Sequence, residues 1–106
     1  MSTGYFAVFI TASNEEEAAR IARALVEERL AACVNIIPSV RSIYRWEGKV
    51  EEGAETMLIA KTDAGAMAPL IGRVRALHSY TTPEIIALPV ADGFDGYLEW
   101  IGASVR

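Results

Sequence analysis

Two long extended runs joined by one short turn constrain this chain more than any other feature. Cys33–Ile37 reads as a strand, Pro38-Ser39 punctuates it, and the run resumes from Val40 to Trp46. Glu47-Gly48 supplies the turn. A second run continues from Lys49 to Lys61, strongly apolar over Thr56–Ala60, with Gly53 placed for a bulge. Each arm holds about thirteen residues, where an ordinary strand holds about five or six. At about 3.3 Å per residue an arm spans roughly 40 Å. A domain of 106 residues has a radius of gyration of roughly 13 Å and does not cover such a ribbon by itself. Long unpaired edges are a liability unless a second chain pairs with them, so the hairpin reads as an assembly device.

The flanking segments complete the order. Tyr5–Thr11 is apolar and β-prone, a strand buried on nearly both faces. Ser13-Asn14-Glu15-Glu16 reads as a capping box with Ser13 at the N-cap. Glu15, Glu16 and Glu17 also suit the positive end of a helix dipole. Ala18, Ile21, Ala22, Leu25 and Val26 recur at helical spacing, which predicts an amphipathic helix to about Ala31. Leu70, Ile71, Val74 and Leu77 stripe a second helix. Pro69 fits if that helix starts near Ala66–Met67; a start capped by Asp63 would put the proline inside and kink it. Pro83–Leu88 is the last main strand, and Gly93–Val105 contains a short helix striped by Tyr97, Leu98 and Ile101. The order β-α-β-β-α-β plus a terminal helix is the α+β split βαβ, or ferredoxin-like, pattern. It predicts a single domain over residues 1–106, with one antiparallel sheet and helices on one face. The other face needs a cover.

Composition supports that need. Ala, Val, Ile, Leu, Met, Phe, Trp, Cys and Gly together make up about 56% of the chain, above the roughly 45–50% of an ordinary soluble domain. Charge narrows the partners. Ten basic against fourteen acidic residues give a net charge of −4, so there is no electrostatic footprint for a phosphate backbone, and nucleic acid is not expected. No stretch approaches the roughly 18 apolar residues of a membrane helix. No basic region precedes Tyr5–Ile10, so no secretory leader is expected. A single cysteine, Cys33, makes no internal disulfide, and the expected compartment is a reducing cytoplasm.

Catalytic signatures are absent. There is no nucleophile elbow, no phosphate-cradling glycine loop and only one histidine, His78. An acylphosphatase-type enzyme on this topology needs an arginine in the loop after the first strand, and Thr11–Asn14 has none. Cys33 and His78 lack the spacing of a dedicated zinc or copper cage. Cys33 reads either as a small buried hydrophobe or as a ligand-facing thiol. His78 reads either as a helix-terminal residue or as a metal contact. Tyr44 and Trp46 alternate onto one face of the hairpin end, the usual mark of an interface. The segment His78–Glu84 enters the last strand as a polar loop, either a plain turn or a ligand-facing one.

These residues resemble the CutA, or divalent-ion-tolerance, family. The resemblance is carried by Leu30-Ala31-Ala32-Cys33-Val34-Asn35-Ile36-Ile37-Pro38, by Ser42-Ile43-Tyr44-Arg45-Trp46-Glu47-Gly48-Lys49 and by Lys61-Thr62. It continues through His78-x-Tyr80-x-x-Pro83-Glu84-Ile85 and Tyr97-Leu98-x-Trp100-Ile101, covering almost the whole chain in order. It implies a ferredoxin-like homotrimer, similar in architecture to PII signalling proteins, with hairpins pairing between subunits. It also implies a binding role in divalent metal, chiefly copper, tolerance rather than catalysis. Enterobacterial members associated with copper look as if they use a cysteine ending the first strand and a His-His pair before the loop. Those positions here are Ile10 and Leu77-His78, so only His78 remains as a metal ligand, for Cu²⁺ or another divalent cation. The family's His-Pro-Tyr is His78-Ser79-Tyr80 in this chain.

The site expectation follows. A cleft between subunits is lined by Cys33, Trp46, Lys61, Tyr80 and Glu84, an aromatic platform with one cation, one carboxylate and one phenol. The plain alternative is that Lys61 and Glu84 form an ion pair and Tyr80 caps the interface. The rival function is a PII-like sensor taking a small anionic ligand in such clefts.

Overall fold

The structure is a computed structural model and describes residues 3–105. Strand β1 (Tyr5–Ala12) leads to helix α1 (Glu15–Glu27), then to the hairpin arms β2 (Cys33–Trp46) and β3 (Lys49–Asp63). A 3₁₀ turn (Ala64–Ala66) opens into α2 (Met67–Leu77), followed by β4 (Ile85–Pro89) and α3 (Asp95–Ser104). The four strands form one antiparallel sheet in the order β2-β3-β1-β4, the ferredoxin-like arrangement.

The two faces differ. Val8, Ile10 and Ala12 of β1 and Leu58 and Ala60 of β3 pack against Ile21 and Leu25 of α1 and Leu70 and Val74 of α2, all buried. Residues alternating with them point away from α1 and α2. Register stacks Phe9 beside Ile59 and Ile86, Ala7 beside Leu88, and Ile37 beside Met57. On that face Ile86 is 52% exposed, with Leu88 and Ile37 close behind. Helix α3 covers only one end of it. There Ile101 and Val105 join Ala32 and Ala66 in a second cluster, and Gly102 permits close approach, since a Cβ would stand 2.7 Å from Tyr5 Oη.

β3 pairs with β1 only from Thr56 to Asp63. Val40–Trp46 and Lys49–Glu55 therefore run on as a bare two-stranded ribbon, about seven residues or roughly 23 Å long. The ribbon's irregularity lies at Pro38-Ser39, where register shifts between Ile37 and Val40. Gly53 pairs regularly with Ser42, so the bulge belongs to β2 and not to β3. Proline has no N–H for the ladder. Its carbonyl is taken instead by the buried Thr56 hydroxyl, 2.9 Å away.

Helix ends also depart from expectation. The N-cap of α1 is Asn14, whose side chain accepts from Glu17 N, while Glu17 reaches back to Ser13. The box is thus shifted by one residue, because both Ser13 and Asn14 are capping types. The helix stops at Glu27 rather than near Ala31. Arg29 sits at φ 61°, with its N–H on Val26 O and that of Leu30 on Leu25 O, a Schellman closure without glycine. A left-handed L-residue costs roughly 1 kcal/mol or more, and the Arg29 side chain is exposed. Arg29→Gly is therefore expected to raise stability by about 1 kcal/mol, read as a higher denaturant midpoint at unchanged slope. A lower midpoint would show that the arginine contributes more than its backbone strain costs. At the second helix, Asp63 caps the 3₁₀ turn through Ala66 N, α2 proper begins at Met67, and Pro69 falls in its first turn. The last strand runs from Ile85 to Pro89, two residues later at its start than expected, because Thr82–Glu84 remain in the loop.

Candidate functional site

The residues picked out for one cleft fall into two groups within the chain. Cys33 pairs with Lys61 across β2 and β3. The Lys61 ammonium donates to Asn35 and stands 3.9 Å from Cys33 Sγ, which is 3.4 Å from Tyr97 Oη. The hydrogen bond with Cys33, then burial, pushes the Tyr97 phenol above its ordinary value. Trp46 and Glu84 lie at the other end of the sheet, lining a hollow of about 520 Å³ with Thr11, Tyr44, Glu55 and Thr82. Tyr80 joins that end by donating its phenol proton to Glu55 at 2.9 Å. Glu55 and Lys61 are six residues apart on β3, roughly 20 Å. Within one chain Lys61 therefore turns to Asn35 rather than pairing with Glu84.

His78 anchors the second group from beneath. Its side chain is fully buried. Nε2 lies 2.6 Å from Thr11 O, which can only accept, so Nε2 carries the proton. Nδ1 accepts the Tyr80 N–H at 3.1 Å, and the two rings pack with centroids 4.8 Å apart. Both nitrogens are thereby occupied. The histidine expected as a metal ligand offers no free lone pair in this conformation, and it holds Tyr80 in place instead.

Beside it lies Glu17, which the sequence reading treated only as dipole decoration. Its Oε2 is 3.7 Å from His78 Nδ1 and accepts from Ser79 N at 2.7 Å. Its Oε1 accepts from Ser13 N and Oγ at 2.9 and 2.8 Å. Burial works to raise its pKa, yet the hydrogen bonds from Ser13 and Ser79 prevail and bring it from 4.5 down to about 2. One buried carboxylate thus ties the end of β1, the start of α1 and the loop after α2 together. Glu55 is the other residue missed by the sequence reading. Burial, then the Glu55 bond, pushes Tyr80 up to about 12, so the phenol remains a donor. Burial, then the Glu55 charge, raises Glu84.

As metal chemistry this donor set is sparse. Among the described residues no three His, Cys, Asp or Glu side chains are grouped to hold an ion. Among the same residues no helix is long and apolar enough to cross a membrane.

With this geometry in place, the model of the CutA1 divalent ion tolerance protein matches residues 6–104. The chain belongs to the CutA1 divalent ion tolerance family. The divalent-cation tolerance protein CutA of Thermus thermophilus is 57% identical over 94 residues, 89% of this chain and 91% of that protein. Human protein CutA is 50% identical over 95 residues, 90% of this chain but 53% of the human protein. The chain thus spans nearly all of its bacterial relative and about half of the human one. Among solved structures, that of the T. thermophilus divalent cation tolerance protein superimposes with a TM-score of 0.94 at 53% identity, covering 96% of this chain and 99% of that one. The periplasmic divalent cation tolerance protein CutA of Archaeoglobus fulgidus gives 0.93 at 44%, with the same coverage. The fold and its family are therefore those of CutA1, a family described by ion tolerance and not by a reaction.

Proposed function

We propose that the protein is a non-catalytic homotrimer that binds divalent metal ions, copper among them, weakly in the cytoplasm, with its ligand cleft between subunits. The observation that carries this reading is the apolar sheet face left open opposite α1 and α2, continued by the bare hairpin ribbon. A face of that kind needs a partner. Closed symmetry among identical chains is the simplest supply. Neighbouring copies would also bring the Cys33–Lys61 end of one sheet toward the Trp46–Tyr80–Glu84 end of another, restoring the five-residue cleft. The unpaired thiol of Cys33 favours a reducing compartment.

Weak metal affinity follows from His78. Cu²⁺ favours imidazole, but here a metal must first displace the Tyr80 N–H from Nδ1, and each chain carries only one histidine. Calorimetric titration at neutral pH is expected to give micromolar or weaker binding, reduced by about tenfold in His78→Gln, the equivalent of ~1.4 kcal/mol. Nanomolar affinity, or a variant that binds as the parent does, would contradict this assignment.

A further inference from the structure

We propose that the hollow between the hairpin and the loop before β4 binds a small organic cation, an alkylammonium or guanidinium group, between aromatic walls from Tyr44 and Trp46 and the carboxylates of Glu55 and Glu84. This rests on the ligand cleft proposed above and names the chemistry of its occupant. The hollow, about 520 Å³, falls within the range of small-molecule sites. Tyr44 and Trp46 line it and are 45% and 47% exposed.

Charge selects the ligand. Tyr44 and Trp46 alternate onto one side of β2, and Val40 between them and the bulge pairs with Glu55. Arg41 also lines the hollow, but its guanidinium is ion-paired with Glu52. Lys49 lies opposite Trp46 at the tip, but Glu51 lies opposite Tyr44. Among the described residues neither Glu55 nor Glu84 is ion-paired, and Lys61, which a neighbouring copy would bring toward them, already donates to Asn35. Burial, and after it the Glu55 charge, raises Glu84. A small anion would be repelled by these carboxylates, which disfavours the PII-like alternative at this position.

Aromatic walls then separate organic cations from metals. An organic ammonium or guanidinium, less strongly hydrated than a divalent metal ion, gains from the face of an indole or phenol when desolvated. A divalent metal demands several oxygen ligands in a defined shell, and only two carboxylates meet here. Tyr80, held by His78, fixes one of them by donating to Glu55.

Phenethylammonium, phenethyl alcohol and phenylacetate form a matched cationic, neutral and anionic set for calorimetry on the assembled protein. Saturable binding of phenethylammonium alone is expected, weakened about tenfold in Glu84→Gln and several-fold in Trp46→Phe. Acidification should weaken it too, as Glu84 takes up a proton. Equal binding of the alcohol or the anion would overturn the proposal. So would unchanged affinity in Glu84→Gln, or displacement of the amine by Mg²⁺ without dependence on Trp46. No saturable binding at all would mean that the hollow is closed by a neighbouring copy's own side chain, and would equally overturn it. The mass of the assembly, measured on the same sample, keeps this outcome distinct from failure of the trimer.

Discussion

Acidifying the protein from about pH 5 to about pH 2 should remove on the order of 3 kcal/mol of stability through Glu17 alone. The sign follows from its depressed value: 4.5 when unfolded and about 2 when folded. The unfolded chain binds the proton first, so stability is complete above the higher value and drains away as pH falls toward the lower one. Glu84 works the other way, because its folded value is raised, and acid relieves its repulsion with Glu55. Glu17→Gln separates the two. The amide keeps one acceptor oxygen but presents an NH₂ where either Ser13 or Ser79 now donates. Near neutral pH the variant should lose about 3 kcal/mol, and its stability should then change less between pH 5 and 2 than the parent's. Denaturant midpoints across that range measure both effects. A parent and variant with parallel acid limbs would show that Glu17 is not the titrating group.

Why Glu17 escaped a reading of the sequence is instructive in physical terms. Three glutamates in a row satisfy the same dipole rule, and only the helix phase decides which one turns inward. That phase depends on whether Ser13 or Asn14 is the cap, a choice made by tertiary contact with Ser79, 62 residues away. The strands and the hairpin were legible because apolar alternation and a glycine turn mark them locally. The end of α1 was not, because Arg29 occupies the left-handed position where glycine would have announced a stop. Pro38-Ser39 was legible as punctuation, and Gly53 misled because a strand glycine can serve where no bulge exists. At the site, His78 and Tyr80 stood out within one short segment. Their partners Thr11, Glu17 and Glu55 lie on other elements, so the capture of Nε2 by Thr11 and of the Tyr80 phenol by Glu55 became visible only in three dimensions. Cys33 and Lys61 lie at the opposite end of the sheet from Trp46 within one chain, Lys61 being six positions beyond Glu55 on β3, so their grouping depends on a neighbouring copy.

The second large effect concerns the open sheet face. Ile86→Asp places a carboxylate beside Phe9, at a position 52% exposed in the chain by itself. On a lone chain such a surface change should alter stability by no more than about 0.5 kcal/mol. Inside a threefold interface it buries an unpaired charge once per copy, at a cost of several kcal/mol each. The variant is expected to fall apart into smaller species that keep their secondary structure by circular dichroism. An assembly that survives the substitution would mean that this face is not the one the copies share.

The most direct test is the mass of the unmodified protein in solution at micromolar concentration, by light scattering behind a sizing column. Three copies of the 11.5 kDa chain are predicted, unchanged on dilution across the micromolar range. A stable species with the mass of one chain would contradict the account.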